Sequence, residues 1–385
     1  MSDKTRALLS CRTVGSPDGV PMLSQHEVVP YLLARGLLAS QSVVEGDLVV
    51  DDVSRRNHNF LVASPSGRYL LKQAVGRDRV RTISREAAFY RAVCEKENGF
   101  SRYLPKFYLY DQERNILIIE SLESVETLRE QQLRTGRSSR GVAEKLAEAL
   151  AALHQFGADF ASEFVTAGSL RARLPYRPDL EAFRSFSGGG IEVIKVIQAN
   201  RDVADVLDQL TEDPKESSVI HGDVRGDNFL VPAVAGARRE RWLKIIDFEL
   251  ATCGDPAVDI GWMFADYLSQ WIFSLPLVAG YRPDRFDAIA RWPLRKVQPL
   301  IRSFWRRYVS SMGLDRSQSD HFRSRAVKHC GARLLHLAME TTYTSYEITR
   351  SQLCLLQVGT NVLLQPEEAS IDLMGIGNRG RELDE

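Results

Sequence analysis

Cysteine is scarce and badly placed for structural use. The five residues (Cys11, Cys94, Cys253, Cys330, Cys354) are scattered, odd in number and never spaced C-x-x-C, which argues against a disulfide framework or a zinc site and fits a reducing, cytoplasmic setting. Net charge is missing too. Lys plus Arg equals Asp plus Glu at 50 each, so the whole-chain balance points to neither a nucleic-acid nor a membrane partner. No long apolar run exists. The most apolar window, Gly261 to Gly280, holds Asp266, Ser269, Gln270 and Pro276 and reads as a buried helix, not a membrane span. The N-terminus sets Lys4 and Arg6 around a short Ala7-Leu8-Leu9, which is no secretory signal. No repeat period is visible.

What is present divides by period. Residues 1 to 22 are polar and read as a loose arm. Ser24-x-x-Glu27, with Leu23 and Val28 as a staple, predicts a helix ending near Gly36, with Pro30 favouring a later start or a kink. Arm and helix together span residues 1–45. Leu48-Val49-Val50, Phe60-Leu61-Val62 and Tyr69-Leu70-Leu71 are strand-like, and Ser64-Pro65-Ser66-Gly67 is a hairpin turn. A helix over 83–95 and a strand at Leu117–Ile119 complete a small lobe over 46–122. Residues 123–365 are mainly helical, as in the amphipathic stretch Lys145–Phe156 with Leu146, Leu150 and Leu153 on one face. Within them, Phe229–Val231 and Leu243–Ile246 read as a hairpin around the polar loop Ala233–Arg241. Residues 366–385 read as a flexible tail.

The chemistry concentrates in His221-Gly222-Asp223-Val224-Arg225-Gly226-Asp227-Asn228 and Ile246-Asp247-Phe248-Glu249. Phosphoryl transfer requires positioning and charge neutralisation more than covalent help. Asp223 offers a carboxylate for the acceptor hydroxyl. Asn228 and Asp247 offer hard oxygens of the kind Mg²⁺ takes, and the predicted hairpin brings them together.

This pattern, H-G-D-x-x-x-x-N followed by I-D-x-E, resembles the aminoglycoside phosphotransferase and choline kinase family, relatives of protein kinases. The resemblance implies an α+β, protein-kinase-like two-lobed fold, with a small mixed β-rich N-lobe and a larger mainly helical C-lobe. ATP and Mg²⁺ are the implied cofactors. Asp223 would act on the acceptor, and Asn228 and Asp247 would hold metal. His221 reads as a loop anchor. Gly254-Asp255-Pro256-x-x-Asp259 is similar to the family's sequel, in which the last Asp ties down the catalytic loop. Lys72 and Glu86 look like the kinase pair in which the lysine holds the α- and β-phosphates. The segment Ser54-Arg55-Arg56-Asn57-His58-Asn59 stands where the phosphate-covering loop would be. It lacks G-x-G-x-x-G, so Ser54, Asn57 and Asn59 would supply contacts through side chains. Glu120 to Leu122 resembles the hinge that binds adenine.

The acceptor is written less clearly. Fourteen Lys/Arg face seven Asp/Glu between Gly261 and Arg350, a surplus of seven positive charges. That sign does not suit a polycationic aminoglycoside and favours an acidic peptide or protein partner. Arg225, two residues after Asp223, is placed to bridge γ-phosphate and acceptor. These features, with Arg56–Phe60 and Ala332–Leu335, are similar to phosphotransferases of ribosomal-peptide natural-product clusters. That resemblance implies phosphorylation of Ser/Thr in a precursor peptide, with a partner lyase eliminating phosphate. A small-molecule hydroxyl kinase and a pseudokinase scaffold are the alternatives.

Overall fold

The computed structural model describes residues 21–44, 46–54, 57–96, 98–160, 176–178, 180–212, 218–233, 242–277, 285–342 and 346–377. The expected loose arm up to residue 20, Arg55, Arg56 and most of the loop 233–241 lie outside them. The described residues divide into two compact units, one drawn from Met1–Ser124 with Asp247–Leu250, the other from Val125–Ile246 with Ala251–Glu385.

In the first unit, α1 (Gln25–Ala34) starts at Ser24, whose backbone N–H and hydroxyl both donate to Glu27 at 2.8 and 2.6 Å. The helix neither starts after Pro30 nor stops at it: Pro30 lies inside, and the chain leaves the helix two residues before Gly36. A short α2 (Ser40–Val44) leads to the strands β1 (Val49–Asp52), β2 (His58–Ser64) and β3 (Gly67–Gln73). The hairpin turn forms, with Ser64 paired to Gly67 and Ser64 Oγ donating to the Gly67 carbonyl at 2.8 Å. Helix α3 (Arg77–Glu95) begins six residues earlier than its apolar pattern predicts. Strands β4 (Phe107–Asp111) and β5 (Ile116–Glu120) close an antiparallel sheet in the order β1-β2-β3-β5-β4.

The two-residue period of β3 decides where its lysine goes. Tyr69 and Leu71 are buried on one face, in a core with Phe60, Val62, Ile116, Ile118 and the α1 residues Val28, Tyr31 and Leu32. Each fully buried Leu, Val or Phe contributes roughly 1.5–3 kcal/mol. Lys72, between Leu71 and Gln73, is carried to the opposite face, where Glu86 of α3 meets it.

The second unit holds β6 (Val125–Thr127), α4 (Leu128–Thr135), α5 (Arg140–Ala158), α6 (Leu180–Ser185), α7 (Gly188–Ala199) and α8 (Arg201–Glu212). Next come β7 (Ser218–Ile220), β8 (Phe229–Pro232), β9 (Lys244–Ile245) and β10 (Thr252–Gly254). Two small antiparallel sheets result, β10-β7 and β6-β8-β9. Helices α9 (Pro256–Ser274), α10 (Phe286–Ile289), α11 (Leu294–Met312), α12 (Arg316–Glu340) and α13 (Arg350–Leu364) follow. Almost every residue of α9 is buried. No helix among the described residues is long and apolar enough to cross a membrane.

The expected flexible tail is corrected over its first part. The chain continues as α14 (Pro366–Glu368) and a π-helical turn over Ala369–Leu373, with Ser370 and Met374 buried. Gln298 of α11 fixes this segment by donating to the carbonyls of Asp372 and Leu373 at 2.8 and 3.2 Å. A polar composition concealed that anchoring.

Candidate active site

In the first unit, Lys72 Nζ donates to Glu86 Oε1 and Oε2 at 2.8 and 3.1 Å and lies 3.7 Å from Asp247 Oδ1. Burial opposes the lysine's charge, yet Glu86 and Asp247 outweigh it and its pKa ends above the usual value. Glu86 is pushed up to about 6, first by desolvation, against which Lys72 pulls it down. Asp247 has φ +69, a left-handed conformation that Asp tolerates better than most residues. The three residues after it belong to this unit. Phe248 stacks on Phe89 at 4.0 Å and meets Phe100 and Tyr90 edge-on, while Arg85 donates to the Glu249 carbonyl.

The covering loop differs from the expectation in detail. Ser54 Oγ accepts from the Asn59 amide N at 3.0 Å and contacts His58 Nδ1 at 3.2 Å, so it shapes the turn. The Oδ1 atoms of Asn57 and Asn59 are buried without a hydrogen-bond partner among the described residues. At the other end of the sheet, the Glu120 N–H is spent on the Lys106 carbonyl and the Ser121 N–H on Arg68. Leu122 makes no backbone bond among the described residues.

The second unit carries the His-Gly-Asp loop. Gly222 has φ +71, which glycine alone adopts freely, and that bend aims two successive N–H groups at one carboxylate. His221 N donates to Asp259 Oδ2 at 2.7 Å and Gly222 N to Asp259 Oδ1 at 2.9 Å. Asp259 is fully buried and also meets His154 Nε2 at 3.1 Å. Desolvation would raise its pKa, but His154 and the backbone donors hold it below the ordinary value. His154 in turn meets the Tyr308 hydroxyl at 2.9 Å. Asp255 caps α9 through the Ala257 N–H at 2.9 Å and binds Arg325 at 2.8 Å.

Both ring nitrogens of His221 are engaged: Nδ1 accepts from the Asp223 N–H at 3.1 Å and Nε2 lies 2.9 Å from the Ile246 carbonyl. These two contacts tie the start of the loop to Ile246, just past the end of β9. Asn228 Nδ2 donates to the Asp223 carbonyl at 2.8 Å and to Asp223 Oδ2 at 2.9 Å, which orients the carboxylate and turns the amide oxygen the other way. Arg225 Nε lies 3.9 Å from Asp223 Oδ2 and 3.5 Å from Asp227 Oδ2. Burial works against the Arg225 charge, and the surrounding carboxylates more than restore it.

Taken each in its own unit, Asn228 and Asp247 carry oxygen donors of the type magnesium takes. Asn228 offers an amide oxygen with no hydrogen-bond partner among the described residues, Asp247 a carboxylate still 36% exposed. Mg²⁺ keeps waters and substrate phosphates as its other ligands and needs few protein oxygens, so the lack of any three-residue His/Cys/Asp/Glu cluster among the described residues is no obstacle.

A cavity of about 430 Å³ opens beside Val224, Arg225 and Asp227 within the second unit. Most of its walls were not singled out from sequence: Trp262, Phe273 and Trp292 supply aromatic surface, and Arg129 and Gln132 of α4 the opposite side. Asp266 is ion-paired with Arg129 and accepts from Gln270 at 3.3 Å. Arg333 donates to Glu340 at 2.9 Å, and its guanidinium lies 4.2 Å over the Trp262 ring. One signal was available, since Asp266 is an acid in the most apolar window and such a residue needs a partner.

A sheet with a lysine–glutamate pair and a helical unit with a buried aspartate holding a His-Gly-Asp loop define a protein-kinase-like fold, β-rich in its N-lobe and mainly helical in its C-lobe. The chain belongs to the phosphotransferase enzyme family, whose profile matches residues 50–299, and it is an ATP-dependent phosphotransferase acting on hydroxyl groups. No curated protein matches by sequence. Among solved structures, an ethanolamine kinase from Plasmodium vivax is similar at 14% identity and TM-score 0.54, covering 89% of this chain and 90% of its own. A choline kinase from Cryptosporidium parvum Iowa II gives 12% identity and TM-score 0.54, with 91% and 98% covered. A microcompartment-associated aminopropanol kinase gives 14% and 0.50, with 87% and 97% covered.

Proposed function

We propose that this phosphotransferase acts on a small, uncharged, hydroxyl-rich molecule that fills the cavity beside Val224, Arg225 and Asp227. Asp223 would take the proton of the attacking hydroxyl, Lys72 would hold the nucleotide phosphates, and Asn228 and Asp247 would hold Mg²⁺. The ion would supply charge neutralisation at the transferring phosphoryl group.

The observation that carries the acceptor class is the state of the cavity's charges. Each carboxylate in its wall already has a guanidinium: Asp266 with Arg129, Glu340 with Arg333, Asp227 with Arg225. Arg333 also covers a face of Trp262. A cationic amino alcohol of the kind named for the structural neighbours would find neither a bare carboxylate nor that ring face. The aromatic walls suit the apolar faces of a cyclic polyol instead. Gln132 is 2% exposed, its Nε2 reaches Ser138 Oγ at 3.5 Å, and its Oε1 has no hydrogen-bond partner among the described residues, so a hydroxyl that reached it would supply the missing donor.

The surplus of basic residues that favoured an acidic peptide is partly spent inside the fold. Arg307 binds Glu148, Arg325 binds Asp255, Arg323 binds Asp320 and Glu367, and Arg333 binds Glu340. A peptide acceptor with a partner lyase is the alternative tested alongside. Gln132→Leu removes the unpartnered Oε1, at the cost of a long 3.5 Å contact from Nε2 to Ser138 Oγ, and nearly keeps volume, so the KM for a neutral polyol should rise roughly tenfold, the worth of one hydrogen bond to a buried group. The kcat should change little. A wild-type preference for choline-like cations or for acidic peptides, unaffected by Gln132→Leu, would overturn the reading.

A further inference from the structure

Away from that cavity, α11, α12 and the chain after the π-helical turn enclose a second one of about 420 Å³, lined by Arg302, Arg306, Arg316, Arg323, Asp320 and the turn Gly375–Gly377. It shares no residue with the acceptor cavity. Four guanidiniums face one carboxylate. Arg323 gives its terminal nitrogens to Asp320 at 2.6 Å and Glu367 at 3.1 Å, but its Nε is buried with no partner among the described residues. Arg302, Arg306 and Arg316 have no ion-pair partner among the described residues. Arg323 is thus already matched by two carboxylates, whereas three exposed arginines converge on the same cavity with none of their own; a bound anion would supply that missing counter-charge.

The wall opposite the arginines is held in place. The amides of Ile376 and Gly377 donate to the Ser370 carbonyl at 2.8 and 3.2 Å. Gly375 has φ +69, and a Cβ there would sit 3.5 Å from Arg302 Cδ. Gly377 has no room for a side chain, because a Cβ would fall 2.3 Å from Ile371 Cγ1. With Gln298 fixing Asp372 and Leu373, the turn is a fixed wall.

We propose that this cavity binds a small multivalent oxyanion, a di- or oligophosphate being the chemistry that four forked guanidiniums recognise best. The site is enclosed on one side by the turn, which favours a compact anion over an extended acidic peptide.

The test is calorimetric titration of inorganic pyrophosphate into the full chain in Mg²⁺-free buffer, repeated with Arg302→Gln/Arg306→Gln and with Lys72→Met. Lys72→Met separates this site from any binding of the same anion by the nucleotide's phosphate contacts. Wild type and Lys72→Met should bind with similar affinity, weakening as salt is added. The double variant, whose substituted side chains are exposed, should bind at least about tenfold more weakly. If Lys72→Met alone abolishes binding, or if an oligoglutamate peptide binds through Arg302 and Arg306 while pyrophosphate does not, the proposal is wrong.

Discussion

Asp223→Asn is expected to lower kcat by roughly 10²-fold or more while leaving nucleotide affinity unchanged. Asparagine keeps the size of the side chain and can accept from Asn228 Nδ2, which lies 2.9 Å from Asp223 Oδ2, so the loop should hold its shape. His221 anchors that loop through the Asp223 N–H and the Ile246 carbonyl, neither of which the substitution touches. What is lost is the carboxylate that would receive the acceptor's proton. Steady-state kinetics with a separate nucleotide-binding titration checks the split. A collapse of ATP binding would make Asp223 a nucleotide ligand and reverse the assigned roles.

Asp247→Ala is expected to have the larger effect, a fall of roughly 10³-fold or more, since a metal centre's charge stabilisation is worth several kcal/mol at about 1.4 kcal/mol per tenfold. The backbone complicates the reading, because φ +69 is less comfortable for alanine than for aspartate. Asp247→Asn therefore serves as the companion variant: it tolerates that conformation, removes the charge, and should be nearly as inactive. Lys72 keeps Glu86 as its partner in both, and Phe248 keeps its aromatic contacts, so the melting temperature should shift by no more than about a few degrees. Near-wild-type turnover by either folded variant would remove Asp247 from the metal.

How much of this was legible in the sequence follows from the range of the interactions involved. The loop from His221 to Asn228 and the sequel to Asp259 are local patterns with fixed spacing, and β8 and β9 pair antiparallel as their apolar runs predict. Lys72 was legible because a charge inside an apolar strand needs a reason. The cavity was not, since Gln132, Asp266, Trp292 and Arg333 come from separate helices and become neighbours only through packing. Strand β4 was also missed, because Phe107–Asp111 is a partly buried run with no period-2 contrast. The basic surplus misled as a simple count: Arg307 finds Glu148, and Arg325 finds Asp255, at separations no charge tally registers. The tail misled in the opposite sense, since it anchors through the backbone carbonyls of Asp372 and Leu373 and a buried Met374.

The most direct test of the central claim is to follow the γ-phosphoryl group itself. Purified chain, ATP and Mg²⁺ are incubated with a panel of neutral polyols, amino alcohols and Ser/Thr peptides, and the phosphorylated products are identified by mass spectrometry. Phosphate should appear on a neutral polyhydroxylated acceptor, at a rate that removal of Mg²⁺ or Asp247→Ala abolishes. Phosphate carried only by peptides or by choline-like cations, or ATP hydrolysed equally with every acceptor and none, would contradict the account.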